Sequence, residues 1–510
     1  MRTKSFTQKQ KALHYLVITL AFLLIWAVLC VNLNEPFFGH REGGSVWNAA
    51  ATRNWIQFGP DALDYLPIRT PGPTTPETGL YYLHHPPVKT WFIAVCTWLF
   101  GYDTVTSMPY ELSIRMVGML FALPTLALIY AVARRLFDRK TALISLLLYG
   151  STPMIFYFGR MPYYDMVIMP FILAYIAVFI NWMGQPTRQR SFILLIMAIT
   201  MMWIAWPAAF YLAGFGVVAL IYGDGRQRRS MILIGGITLL FTLAIPLLYE
   251  ALRPGTITEL YDMFRYRASN AESGEGSAPF TLAEFVARWL KDMFTTTSFA
   301  VTILGFLGMI IVLRRPKKQL QEVILITLIV IPFVFMLIVR NSFHFHDWYK
   351  VHFMPALVIA GAILIKTGWQ LPPKGIKRYV RPLIFAILVT SLAVTVYWTV
   401  MLQQTTYNDF ARTLARELPA FTVEDDLIGS NVSRPYSEIE YYAYRNVIWG
   451  ISVENAVKWY NEATEDEEAY YLLCLDENPV DSYAGLLSEL PYQVVTENCR
   501  LVSLSRTNNE

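Results

Sequence analysis

Four short stretches of this 510-residue chain set acidic, basic and imidazole side chains beside apolar runs, and these are where chemistry could be done. The first is Glu35-Pro36-Phe37-Phe38-Gly39-His40-Arg41-Glu42-Gly43-Gly44. A carboxylate beside His40 and Arg41 could serve as a general base or a metal ligand; its bland alternative is a solvated loop start. The second is Tyr82-Leu83-His84-His85-Pro86-Pro87-Val88-Lys89. His84 and His85 could bind metal or phosphate, or the two prolines could simply make a rigid turn into the helix that follows. In the third, Arg160-Met161-Pro162-Tyr163-Tyr164-Asp165, Asp165 can cap an apolar helix, and Arg160 can pair with Asp165 or reach for the membrane edge. The fourth, Arg340 to Lys350, includes His346, Trp348 and Tyr349. Arg and Lys there could hold an anionic lipid phosphate, or the segment could be an interfacial anchor. Arg265 and Arg267 are weaker candidates of the same kind.

The elements that must position these residues are membrane helices. Hydrophobic residues make up 55% of the chain and charged ones only 16%, against roughly 25% in soluble domains. A formal net charge of +4 and the lack of a basic, aromatic-interleaved stripe argue against nucleic acid as a partner. A bilayer core of ~30 Å takes about 20 apolar residues per helix. Eleven stretches fit: 13–32, 113–133, 141–158, 166–182, 192–205, 207–222, 231–249, 297–313, 322–339, 350–366 and 382–402. Basic clusters at Arg134 to Lys140, Arg188 with Arg190, Arg226 to Arg229, Arg314 to Lys318 and Lys374 to Arg381 then fall on one side, the cytoplasmic one. This requires 88–101 to lie along the surface and 191–222 to cross twice, breaking at Trp206-Pro207. The N-terminus is then cytoplasmic and the C-terminus external. The first external loop is 33–112, and all four candidate stretches face outward.

The composition changes near residue 403. Residues 1–402 read as the membrane module and 403–510 as an external α/β domain. In that tail 426–431, 469–477 and 492–504 read as strands, and 408–418 and 453–463 as helices. Cys474 and Cys499 could pair if the tail is exported. Neither a GxxxxGK[ST] loop nor a GxGxxG turn opening a helix is present, which disfavours a nucleotide-driven pump or a Rossmann enzyme.

In order and spacing these pieces resemble the C-type membrane glycosyltransferases, in particular the protein O-mannosyltransferases and the aminoarabinose lipid A transferases. The resemblance runs over about residues 10–405. It rests on His40-Arg41-Glu42, the 51–59 segment, Tyr82 to Lys89, Arg115, Arg134 to Arg139 and the Arg160 to Asp165 loop. It implies an all-α polytopic membrane protein of about eleven transmembrane helices with a small C-terminal α/β domain. It also implies inverting transfer of a sugar from a polyprenyl-phosphate donor to a hydroxyl of a protein or glycolipid, at the external face among membrane lipids. Glu42 is then the catalytic base, standing where the family pattern has Asp. Asp165 is the second acidic residue, and the two could share a divalent metal ion. His85 and Lys89, with Arg340 or Lys350, would hold the phosphate. His40, Arg41, His84, Arg160, Tyr163 and His346 complete the expected binding set. The rival is a multi-helix transporter or lipid flippase with an external accessory domain. Polar groups clustered in loops rather than in the spans favour the enzyme.

Overall fold

The computed structural model describes residues 8–270, 279–371, 375–404, 409–432, 436–452, 455, 469–474 and 491–504. The chain forms two compact units. One comprises Met1–Leu33, Leu83–Cys96 and Leu112–Met401; the other comprises Asn34–Tyr82, Thr97–Glu111 and Leu402–Glu510.

Among the described residues the elements of the first unit are all helices, because apolar stretches of this length can satisfy their backbone groups in a bilayer only within a helix. Each of the eleven stretches read from the sequence contains a helix. Seven of the described helices are long and apolar enough to cross a membrane singly, and nine spans result if two bent pairs count as one each. The expected number was eleven, and the difference has a physical source. Arg188–Ile204 and Ala208–Tyr222, with 17 and 15 residues, rise only ~22–26 Å each, less than the bilayer core. The expected break lies between them, at 205–207. The 141–158 stretch is not one straight helix either: Arg139–Gly150 and Pro153–Arg160 meet at 59°, with Pro153 opening the second piece. Val88–Phe100, at 13 residues, is too short to span.

Small residues let two of these helices touch along their backbones. A Cβ on Gly308 of the Phe299–Leu313 helix would lie 2.1 Å from the carbonyl oxygen of Ala360, and one on Gly305 would lie 2.7 Å from the Leu357 Cβ. Gly118, in Glu111–Leu136, makes the contact that matters for the site. Its Cβ would meet the backbone of Arg160 at 2.4 Å and of Met161 at 2.7 Å. Backbone cannot swing aside, so Gly118→Ala must push the 160–165 turn. It is expected to cost about 1–3 kcal/mol and to lower any activity that depends on Asp165. Gly216→Ala, whose added methyl meets nothing within 4 Å, is the control and should leave the unfolding temperature unchanged or slightly raised. Thermal unfolding of the two purified variants checks this.

Two buried arginines fasten the same region. Arg160 donates from Nη1 to the Val31 carbonyl (2.8 Å), and Arg115 from Nη1 to the Leu33 carbonyl (2.8 Å). Both therefore bind the carbonyls just past the Gln8–Leu29 helix, which a helix end leaves exposed. The expected pairing of Arg160 with Asp165 is replaced by this contact.

The second unit is built round a five-stranded sheet. Its strands are β1 (Leu427–Ser430), β2 (Val447–Trp449), β3 (Ala469–Cys474), β4 (Tyr492–Val494) and β5 (Cys499–Ser503), in the order β2-β1-β3-β5-β4. β1 runs parallel to β2 and β3; β5 runs antiparallel to β3 and β4. Residues 492–504, read as one strand, are thus a hairpin that turns at Thr496 to Asn498, where Asn498 is a turn-favouring residue. Residues 453–463, read as a helix, lie largely outside the described residues. Asp409–Glu417 buries Ala411, Leu414 and Ala415 on one face at helical spacing, against Ile428, Val447, Leu472 and Leu501 of the sheet. Cys474 and Cys499 are direct partners across β3 and β5 and are joined by a disulfide. Arg53, fully buried in Gly43–Phe58, donates to the carbonyls of Thr70, Pro71 and Gly72 and lies over the Tyr444 ring.

Candidate active site

In the first unit the His84-His85 turn is fixed by its backbone before its side chains act. Trp206 Nε1 donates to the His84 carbonyl (2.9 Å), and the Tyr249 hydroxyl donates to the His85 carbonyl (3.0 Å). The His84 ring donates to Glu259 (2.6 Å). The His85 ring stacks on Tyr164 at 4.0 Å, and its Nε2 accepts from the Arg267 guanidinium (3.2 Å). Burial, reinforced by the cations Arg267 and Lys89, pushes the His85 imidazole well below its usual range. His85 is therefore neutral near pH 7, and its lone pair orients Arg267 rather than adding charge.

One turn further on, Pro87 opens the Val88–Phe100 helix and sets Lys89 on the same side. Lys89 is buried, with its Nζ 3.7 Å from the centre of the Tyr164 ring. Burial lowers its pKa to about 7, and the nearby Asp165 carboxylate opposes that fall. Asp165 occupies the first turn of Tyr164–Gly184 but takes no capping role. Its Oδ1 accepts from His352 Nε2 (2.8 Å), whose Nδ1 in turn accepts from the Tyr211 hydroxyl (3.1 Å). Tyr163 stacks flat on Trp348 at 4.1 Å, and Trp348 on His346 at 4.4 Å.

The structure thus brings His85, Lys89, Tyr164, Asp165 and Arg267 to one place, with His346 electrostatically close to His85. Other expected residues have different partners. Lys350 is fully buried and donates three hydrogen bonds, to Asp292 (2.6 Å) and to the carbonyls of Phe343 (2.7 Å) and His346 (3.1 Å). An ammonium has three protons, so this one is committed to holding the 343–350 turn against the Leu282–Thr296 helix. Arg340 is exposed and donates to the carbonyl of Ala268, the last residue of the Thr256–Ala268 helix. It caps a helix end. His352, Tyr211 and Asp292 were not singled out in the sequence, since each sits in or beside an apolar run with a partner far along the chain.

His40, Arg41 and Glu42 belong to the second unit. Glu42 is buried immediately before Gly43–Phe58, and its Oε2 accepts from the Gly39 amide (3.0 Å). Arg41, ahead of it, has φ 64°, a left-handed conformation that a non-glycine residue holds only at a cost of about 1–3 kcal/mol. Such strain collects where a turn must aim a side chain. Among the described residues no group of three or more His, Cys, Asp or Glu side chains is arranged to hold a metal ion.

The fold is shared with solved structures. ArnT from Cupriavidus metallidurans, solved with undecaprenyl phosphate, superimposes with a TM-score of 0.65 at 16% identity, over 96% of this chain and 98% of that one. The archaeal oligosaccharyltransferase AglB from Archaeoglobus fulgidus, solved with an inhibitory peptide and a dolichol-phosphate, gives 0.60 at 12% identity, over 94% of this chain and 71% of that one. No curated protein sequence matches the chain. Residues 84–249 match the family of dolichyl-phosphate-mannose-protein mannosyltransferases.

Proposed function

We propose that the chain moves a monosaccharide from a polyprenyl-phosphate donor to an acceptor hydroxyl, with inversion, at the external face of the membrane. The observation that carries this reading is the cluster of buried Lys89 and His85 with Arg267, beside Asp165 at the start of a membrane helix. It is a preformed cationic seat for one anionic group next to a carboxylate. The undecaprenyl phosphate bound by ArnT and the dolichol-phosphate bound by AglB suit such a seat.

In the transfer, the acceptor oxygen attacks the anomeric carbon while the bond from that carbon to the phosphate oxygen breaks. One displacement inverts the centre. Glu42 takes the acceptor proton. The carrier leaves as a phosphomonoester, gaining one negative charge over the bound diester, and Lys89 and Arg267 stabilise that charge. Asp165 favours the protonated form of Lys89 and offers its second oxygen to the acceptor or the sugar. Lys350 and Arg340 we assign to positioning. Loop charge supports the orientation, with the Arg134 to Lys140 and Arg314 to Lys318 clusters cytoplasmic. The tail disulfide fits an external, oxidising side.

The test is an assay of the purified protein in liposomes against a panel of polyprenyl-phosphate sugars, with glycolipid and hydroxyl-peptide acceptors. Release of free polyprenyl phosphate with a glycosylated acceptor is the expected result. Movement of the lipid between leaflets with no product would instead establish a transporter.

A further inference from the structure

We infer that His352 is a positioning residue that holds Asp165 in its working rotamer through Oδ1 and is itself aligned by Tyr211. The inference rests on the transferase reading above. Three elements far apart in the chain meet here: the first turn of Tyr164–Gly184, the 347–353 turn, and the Ala208–Tyr222 helix. All three side chains are buried, with His352 and Tyr211 at 1% exposure and Asp165 at 3%.

The direction of the chain follows from what each group can do. An ionised carboxylate only accepts, so the proton between Asp165 and His352 sits on Nε2. With the proton on Nε2, the Nδ1 lone pair faces the Tyr211 hydroxyl, which can donate to it. That arrangement uses every polar atom of His352's ring and only one oxygen of Asp165. Among the described residues Oδ2 has no protein donor. The second oxygen takes no part in this pairing. The pairing thus freezes the side chain while leaving one oxygen for a ligand. Capping the helix would have tied up the same oxygens, and Asp165 does not cap it.

Four substitutions test this in the full-length protein, assayed with the donor it turns over from the panel of polyprenyl-phosphate sugars. His352→Leu removes the donor and should lower kcat about 10- to 100-fold, with KM for the carrier changed less than threefold. His352→Gln restores an N–H at similar reach and should recover most of that loss. Tyr211→Phe should cost several-fold. In the Asp165→Asn background His352→Leu should add nothing, since its effect passes through Asp165. Equal loss in the Leu and Gln variants, loss that persists in the Asp165→Asn background, or full activity of His352→Leu each overturns the inference while the transferase reading stands. A wild-type protein that turns over no member of that panel removes that reading, and the inference with it.

Discussion

Glu42→Gln is expected to lower turnover about a thousandfold and to leave the protein folded. The amide keeps an oxygen that can accept from the Gly39 amide, so the bond that seats the side chain survives. What disappears is the ability to take a proton from the acceptor hydroxyl, and no neighbouring group is introduced that could replace it. Glu42→Asp should recover part of the rate, being the same base on a shorter arm. Carrier binding should be near normal in both variants, because the base acts on the acceptor. Stopped-assay turnover alongside thermal unfolding separates loss of chemistry from loss of fold. Near-normal turnover by Glu42→Gln would take Glu42 out of the mechanism.

Lys89→Met should lower kcat by about 100- to 1000-fold, with a smaller rise in KM for the carrier. The asymmetry follows from charge: the donor phosphate carries one negative charge when bound and two when the sugar has left, so the cation matters more in the transition state. The pH dependence supplies a second signature. Burial leaves Lys89 with a pKa of about 7 in the empty protein. A diester anion binds the protonated form better, and its own charge does not change near neutrality. As pH rises through 7 the empty protein loses that cation, so kcat/KM for the donor should fall, by up to tenfold per unit, and should be level with respect to this group below 7. Lys89→Arg, whose guanidinium stays charged, should flatten the alkaline limb even if its rate is lower. A steep limb retained in both variants would assign the titration to another group.

Much of this was legible from the sequence because membrane helices announce themselves. Apolar length found eleven stretches that each contain a helix. Spacing fell short where a span is made of two short pieces, as at 188–222, or bends at a proline, as at Pro153, since apolar content says nothing about the angle between segments. The site divides in the same way. Asp165, His85 and Lys89 were visible as polar residues beside apolar runs. His352 was not, because its role depends on Asp165 187 positions away and Tyr211 141 positions away, and neither pairing leaves a local pattern. Lys350 was visible as a candidate phosphate ligand, but its partner Asp292 was not. A lysine beside aromatics looks the same whether it meets a lipid phosphate or a buried Asp292, and only the fold distinguishes the two.

Arg53 grips the 70–72 turn solely through main-chain oxygens, as Arg115 and Arg160 grip residues 31–33. A carbonyl is the same whatever side chain it belongs to. The held segments can therefore drift in sequence under selection while the holders cannot, and Gly72 is the exception, since an added Cβ there would lie 2.2 Å from Asn446. In a saturation library, Thr70 and Val31 should accept most residues, whereas Arg53 and Arg160 should tolerate almost none.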